Sequence, residues 1–169
     1  RCTSEGYECE KIAIEKIKHF ISKDALNIDG LGKKVVEKFW DLNLINSPED
    51  IFKLDYDKIS NLDGWGELSV SNLKYSIEKA KEVTLERFIF SVGIRHIGIE
   101  NAKLIAEHTK TIQNFLDMIN KKNINELLNI DGIGETQIQS IKKFIKNNTN
   151  INVLNKLNKV LYIKKLDIN

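Results

Sequence analysis

Four stretches of the chain place apolar residues along one side of a helix. Val35, Val36, Phe39 and Trp40 fall at i, i+1, i+4 and i+5, and Val70, Leu73, Ile77 and Ala80 keep the same kind of face. Leu104 with Ile105 marks the third stretch, and Ile138, Ile141 and Ile145 mark the fourth. A short apolar segment precedes each one: Ala25-Leu26, Ile59 with Leu62, Arg87-Phe88-Ile89-Phe90, and Leu127-Leu128. Connecting helices fill the intervals. One is expected to open at Ser47-Pro48-Glu49-Asp50, with serine as N-cap and proline at the first helical position. Another is expected to open at Thr111, with Ile112, Phe115, Leu116 and Ile119 facing inward. Beta structure has almost no claim in this pattern, which predicts an all-α chain.

What separates the apolar segments from the helices is a recurring turn. Asn27-Ile28-Asp29-Gly30-Leu31-Gly32 returns as Asn61-Leu62-Asp63-Gly64-Trp65-Gly66 and as Asn129-Ile130-Asp131-Gly132-Ile133-Gly134. The leading glycines, Gly30, Gly64 and Gly132, are separated by 34 and then 68 residues, so one copy of a 34-residue period is missing. The period places it at Gly98, in Arg95-His96-Ile97-Gly98-Ile99-Glu100, read as a degenerate copy that keeps the first glycine and loses the second. Four units of helix, tight turn and helix are therefore expected, with turns near residues 28–33, 62–67, 96–100 and 130–135. Tetratricopeptide arrays share the period, but they repeat small and aromatic packing residues inside helices, whereas the repeated element here is a turn. A protein-binding helical array fits poorly on that ground and stands as a rival reading.

Composition narrows the class. With 169 residues, 41% of them hydrophobic, 30% charged, nine glycines and one proline, the chain is long enough for one packed, mainly helical domain. No run approaches the roughly 18 apolar residues of a membrane span. The start, Arg1 to Glu5, has neither the basic and apolar regions of a signal peptide nor an initiator methionine, so a piece of a longer cytoplasmic protein is expected. A formal charge of +2 neither requires nor excludes a polyanionic partner. The distribution of charge has to decide, because the lysine excess accompanies a general richness in asparagine and isoleucine.

The repeated turn has a chemistry of its own. Two glycines bracketing one hydrophobic residue make a tight hairpin whose central side chain, Leu31, Trp65 or Ile133, can anchor in the core. The amides at the start of the following helix then face outward, where orphan donors and the positive end of the helix dipole favour an anion such as a nucleic-acid phosphate. A single Gly-x-Gly is more simply a connector, but several copies in register point to a ligand. Candidate contact residues are Gly30, Leu31, Gly32, Lys33 and Lys34 at the first turn, and Gly64, Gly66 and Lys74 at the second. Arg95, His96, Gly98 and Lys103 are the candidates at the third turn, and Gly132 and Gly134 at the fourth. Lys33 and Lys34 rank the first turn highest. Glu67, Glu100 and Glu135 stand at the later turns, where a carboxylate stabilises its own helix by about 0.3–1 kcal/mol but repels a docking phosphate. His96 suits either a DNA contact or a cap on its own turn.

The turns, and several segments around them, carry a resemblance. Tandem copies of this kind resemble helix-hairpin-helix modules that pack in pairs and straddle the minor groove, each hairpin holding one strand's backbone. Beyond that, Arg1 to Glu10, Ala13, His19-Phe20 and Ala25 to Gly32 are similar to the bacterial NAD-dependent DNA ligases at the junction of their zinc finger and helix-hairpin-helix domain. Ser47 to Leu54, Ile77 to Lys81 and Arg87-Phe88-Ile89-Phe90-Ser91-Val92-Gly93-Ile94-Arg95 are similar to the same family, the last segment distinctively. The likeness covers essentially the whole chain. It implies an all-α fold of four tandem helix-hairpin-helix motifs packed as two pairs over residues 11–160, the end of a zinc finger at 1–10, and a linker toward a BRCT domain at 161–169.

By the same resemblance, Cys2 and Cys9 match the last two ligands of a four-cysteine zinc site, with six intervening residues where the family pattern has five. Two thiolates alone do not complete a tetrahedral structural site, so the fragment itself is expected to hold no cofactor. The family's nucleophile is a lysine in Lys-x-Asp-Gly. Here Asn27, Asn61 and Asn129 occupy that place, so this chain carries no adenylation chemistry of its own. The implied parent is a bacterial, cytoplasmic and nucleoid-associated ligase that uses NAD, Mg and Zn to seal nicks in replication and repair. Its adenylation, OB-fold and BRCT domains act in cis, and this segment grips double-stranded or nicked DNA without sequence preference, through minor-groove phosphates. A DNA glycosylase is the rival enzyme reading, disfavoured because such enzymes generally carry one hairpin with a catalytic aspartate downstream.

Overall fold

Helix α1 (Glu10–Phe20) buries Ala13, Ile17 and Phe20, at the spacing of one helical face, and delivers the chain to the first Gly-x-Gly turn. Residues 10–121 and 123–166 are described by the computed structural model. After the first turn comes α2 (Lys33–Asp41), in which Val36 and Phe39 are buried and Val35 and Trp40 half-buried, as the apolar stripe predicts. A 3-10 helix (Pro48–Lys53) and α3 (Tyr56–Ser60) lead to the second turn and to α4 (Glu67–Ala80), which faces the core with Leu73, Ile77 and Ala80. Strand β1 (Glu82–Thr84) closes this half of the chain.

The second half repeats the scheme. Helix α5 (Leu85–Ser91) precedes the third turn, α6 (Ile99–Thr109) follows it, and α7 (Ile112–Asn120) connects. A second 3-10 helix (Ile124–Asn129) leads to the fourth turn and α8 (Glu135–Ile145), followed by α9 (Asn148–Val160) and strand β2 (Tyr162–Lys164). The predicted start at Thr111 is present, its hydroxyl accepting from the Asn114 amide at 3.0 Å. Ser47 also starts a helix, and the Asp50 carboxylate accepts from the amides of Asn46 and Ser47. That helix is 3-10 rather than α, a six-residue connector that ends at extended Leu54.

Two features depart from an all-α reading. β1 and β2 pair in parallel, with Val83 opposite Ile163, so each half contributes one strand to a small sheet. In both strands the central residue is buried and its neighbours are exposed. Three residues are too few for that alternation to show in the sequence. Furthermore, the stretch from Leu161 that reads as a linker begins by packing. Leu161 and Ile163 are buried, and the Leu166 amide donates to the Lys110 carbonyl at 2.8 Å.

One apolar cluster runs through both halves, from Ile17 and Phe20 through Phe39, Ile51 and Phe88 to Phe115, Ile138 and Leu157. Polar ties reinforce the junction. Lys16 Nζ donates to the Gly93 carbonyl at 2.7 Å, and His19 Nε2 lies 2.7 Å from the Phe90 carbonyl, with its ring 4.6 Å from that of Phe90. Buried Glu49 faces Lys156 Nζ on α9 at 3.7 Å and accepts from the Ser47 hydroxyl. Lys18 bonds Glu37 of α2 at 2.9 Å and Glu15 at 3.1 Å, and these bonds hold its ammonium above the usual lysine range.

Because the core is continuous, a cavity in one half should destabilise the whole molecule. Phe39→Ala removes a fully buried ring that also lies 5.7 Å from Trp65. Urea unfolding is expected to stay a single transition and to lose about 3–5 kcal/mol.

Candidate nucleic-acid interface

Four turns precede α2, α4, α6 and α8, and they share one backbone design. In each, the amide of the anchor residue donates to the carbonyl three residues earlier: Leu31 to Ile28, Trp65 to Leu62, Ile97 to Ile94 and Ile133 to Ile130, over 3.1 to 3.4 Å. The third residue of each turn takes positive φ, +85° at Gly30, +84° at Gly64, +66° at His96 and +100° at Gly132. A bonded four-residue turn with the left-handed residue third is a type II arrangement. The anchors Leu31, Ile97 and Ile133 are buried and Trp65 is half-buried against Phe39. The residue after each anchor, Gly32, Gly66, Gly98 or Gly134, is the N-cap, and its carbonyl accepts the first helical bond, from Val36, Val70, Ala102 or Ile138.

This geometry corrects the register of the third copy. Gly98 stands in the place of Gly32, not of Gly30, so the third turn keeps the second glycine and has His96 where the others have the first. It spans Ile94 to Gly98 rather than 96 to 100. The N-caps lie at 32, 66, 98 and 134, at intervals of 34, 32 and 36, so the 34-residue period is an average whose shorter and longer intervals cancel. The turn is the conserved unit of design, and the connectors between turns vary.

The N-cap glycines are informative because nothing among the described residues requires glycine at Gly32, Gly66 or Gly98. Gly32, Gly66 and Gly98 have extended backbone that any residue adopts, and a Cβ built on any of the three meets nothing within 4 Å. Serine, aspartate or asparagine would cap these helices at least as well as glycine. Among the described residues no side chain caps α2, α4 or α6, so the first amides of each helix have no capping partner there. The fourth turn is partly closed, since Gln137 Oε1 accepts from the Gly134 amide at 2.9 Å.

Side chains grade the four turns. Lys33 and Lys34 are both exposed, make no ion pair among the described residues, and lie in a first turn free of acidic residues. The helices after the other turns carry Glu67, Glu100 and Glu135 in their first turns. Glu135 is engaged by Gln139 at 3.1 Å. Lys74 lies along α4 with its ammonium 5.6 Å from the Tyr56 ring centroid. Burial first, and Glu78 second, raise the Tyr56 hydroxyl above its ordinary pKa, so this lysine rests on a packed, neutral ring. Arg95 and Lys103 are exposed beside the third turn, and Arg95 lines a cleft with Glu135 and Lys143. His96 neither caps its own turn nor stands unengaged, because its Nδ1 lies 2.8 Å from Ser140 Oγ on α8. Ser140 and Asn101, which with Leu104 tie turns three and four together, carry no signal in a linear reading. Cys2 and Cys9 lie outside the described residues.

Gly30 and Gly32 separate the two roles of glycine. Gly30→Ser is expected to cost about 1 kcal/mol, because a Cβ must enter the left-handed region. Gly32→Ser should leave stability within about 0.5 kcal/mol. Thermal melts of the two variants check the contrast.

Comparison with known proteins places this geometry. A SAM-like helix-hairpin-helix tandem model matches residues 22–79, which hold the first two turns, and a helix-hairpin-helix motif model matches residues 87–154, which hold the other two. Over 164 residues, 97% of the chain, the sequence is 66% identical to a DNA ligase of Pelagibacter ubique. DNA ligases of Rickettsia massiliae and Wolbachia pipientis wMel are 42% and 41% identical over 97% and 100% of the chain. The chain spans 24 to 26% of the length of these relatives. Matched along nearly its whole length by these ligases, and by helix-hairpin-helix models over both halves, the chain is consistent with a helix-hairpin-helix fragment of a DNA ligase.

Proposed function

We propose that this chain is the duplex-gripping segment of an NAD-dependent DNA ligase, made of four helix-hairpin-helix motifs in two pairs that hold minor-groove phosphates without reading sequence. The observation that carries this is the row of N-cap glycines, Gly32, Gly66 and Gly98, which neither backbone conformation nor packing requires. A bare N-cap lets a phosphate oxygen reach the open amides, and any Cβ there would stand in its path. Gly30, Leu31, Gly32, Lys33 and Lys34 form the principal contact. Gly64, Gly66, Lys74, Arg95, His96, Gly98, Lys103, Gly132 and Gly134 complete the interface, His96 by positioning rather than by touching phosphate.

In the whole protein, NAD and Mg would serve an adenylation domain. Zinc would be held by four cysteines, Cys2 and Cys9 among them, and OB-fold and BRCT domains would act in cis on nicked duplex during replication and repair. Residues 1–10 would end the zinc finger and 11–160 form the helix-hairpin-helix domain, with the tail beyond β2 continuing toward BRCT. The parent would work in the bacterial cytoplasm at the nucleoid. Among the described residues no helix is long and apolar enough to cross a membrane.

Phosphate binding by amides and lysines predicts a steep salt response and indifference to base sequence. About four to eight phosphate contacts give a log–log slope of affinity against salt of roughly −4 to −7. A flat response sinks the reading. Gly32→Val should weaken binding at least tenfold with the helical circular dichroism unchanged, whereas loss of helix would reassign Gly32 to structure.

A further inference from the structure

Turn three departs from the other turns at its left-handed residue, where His96 stands in place of glycine at φ +66°. Side-chain-bearing residues adopt that conformation less readily than glycine, histidine more readily than most. The ring spans 44 residues of sequence to α8, where Nδ1 lies 2.8 Å from Oγ of Ser140, a side chain only 9% exposed. Ser140 stands six residues after the N-cap Gly134.

The reciprocal contact exists. The left-handed residue of turn four, Gly132, faces Leu104 on α6, six residues after the N-cap Gly98, and a Cβ on Gly132 would lie 2.8 Å from Leu104 Cδ1. Asn101, also on α6, donates from Nδ2 to the Gly132 carbonyl at 3.1 Å. Each turn therefore rests its left-handed residue on the other's helix at the same register, as a local twofold relation requires. Leucine fills that place on α6, and its terminal methyl would have to shift to admit a Cβ opposite. On α8 the place holds a small serine, and the imidazole fills the gap. Between turns one and two the contacts are apolar: Phe39 lies 5.7 Å from Trp65, and a Cβ on Gly30 would touch Leu73 at 3.9 Å.

We infer that His96 is a positioning residue for duplex binding. Its ring, bonded to Ser140, sets the spacing of turns three and four so that the amides opening α6 and α8 meet the two strands of one duplex together. This rests on the duplex-binding reading above. It explains a histidine at a glycine position in a turn whose backbone is otherwise unchanged. A preorganised pair avoids ordering its two contacts at the moment of binding, which is where such a bond contributes affinity.

The test uses His96→Gly, Ser140→Ala and the double variant of the full chain. Each is titrated with a fluorescent 20–30 base-pair duplex across a salt series and melted by circular dichroism. Glycine is at ease at positive φ and alanine favours the helix, so both variants should fold, with melting midpoints within a few degrees of the parent chain. Each single substitution is expected to weaken binding about three- to tenfold, and the double variant no further, because both remove one bond. The salt slope should stay unchanged. A slope shallower by about one would make His96 a phosphate contact instead. Losses that add, or variants that bind like the parent chain, would overturn the inference while leaving the duplex reading intact. If the parent chain fails to bind duplex at any salt concentration, the duplex reading falls, and this inference falls with it. If His96→Gly does not fold, Ser140→Ala decides alone by the same affinity and slope.

Discussion

Each of the four turns before α2, α4, α6 and α8 reverses the chain as a type II turn with positive φ at its third residue, and this dihedral sets both sides of the turn. On the inner side it points the next residue, Leu31, Trp65, Ile97 or Ile133, toward the core, where burial repays the tight backbone. On the outer side it leaves the following residue extended as an N-cap, so the first amides of α2, α4, α6 and α8 point away from the core. Packing and exposure are two consequences of the same dihedral. A turn that lost its anchor would therefore also lose the aim of its amides.

With the backbone shared among four turns, differences between them come from side chains. α2 opens with two lysines and no acid, while α4, α6 and α8 each open with a glutamate that supports the helix dipole and opposes an approaching anion. A formal charge of only +2 fits that arrangement. On the proposed reading, attraction would come from directed amides and a few lysines rather than from a general basic surface, and would be strongest at turn one.

Much of the fold was legible because its governing residues are irregular in composition but regular in spacing. Gly30, Gly64 and Gly132 mark the left-handed positions, and the stripes led by Val36, Leu73 and Ile138 mark the buried faces. The third turn was found by a period that its neighbours obey only on average, and so it was found two residues out of register. The signal that corrects it is local: Ile94 and Ile97 stand in the places of Ile28 and Leu31, which puts Gly98 at the N-cap. β1 and β2 were beyond reach, because pairing Val83 with Ile163 depends on how two halves meet. Ser140 was invisible for the same reason, since its meaning comes from a ring 44 positions away.

The two pairs of turns solve one packing problem with different chemistry. Where apolar rings join the turns, as at Phe39 and Trp65, the contact is broad and tolerates small shifts, because dispersion is non-directional. Where His96 meets Ser140 and Asn101 meets the Gly132 carbonyl, direction matters and small shifts break the bond. The second pair is thus the more exactingly fixed, and turn one is the turn that opens its helix with two lysines and no acid. On the proposed duplex-binding reading, charge at turn one would act from a distance that screening limits to about 10 Å, while a directional joint would fix geometry only at contact. On that same reading, the lysines that open α2 would draw the backbone and the directional joint between turns three and four would align it.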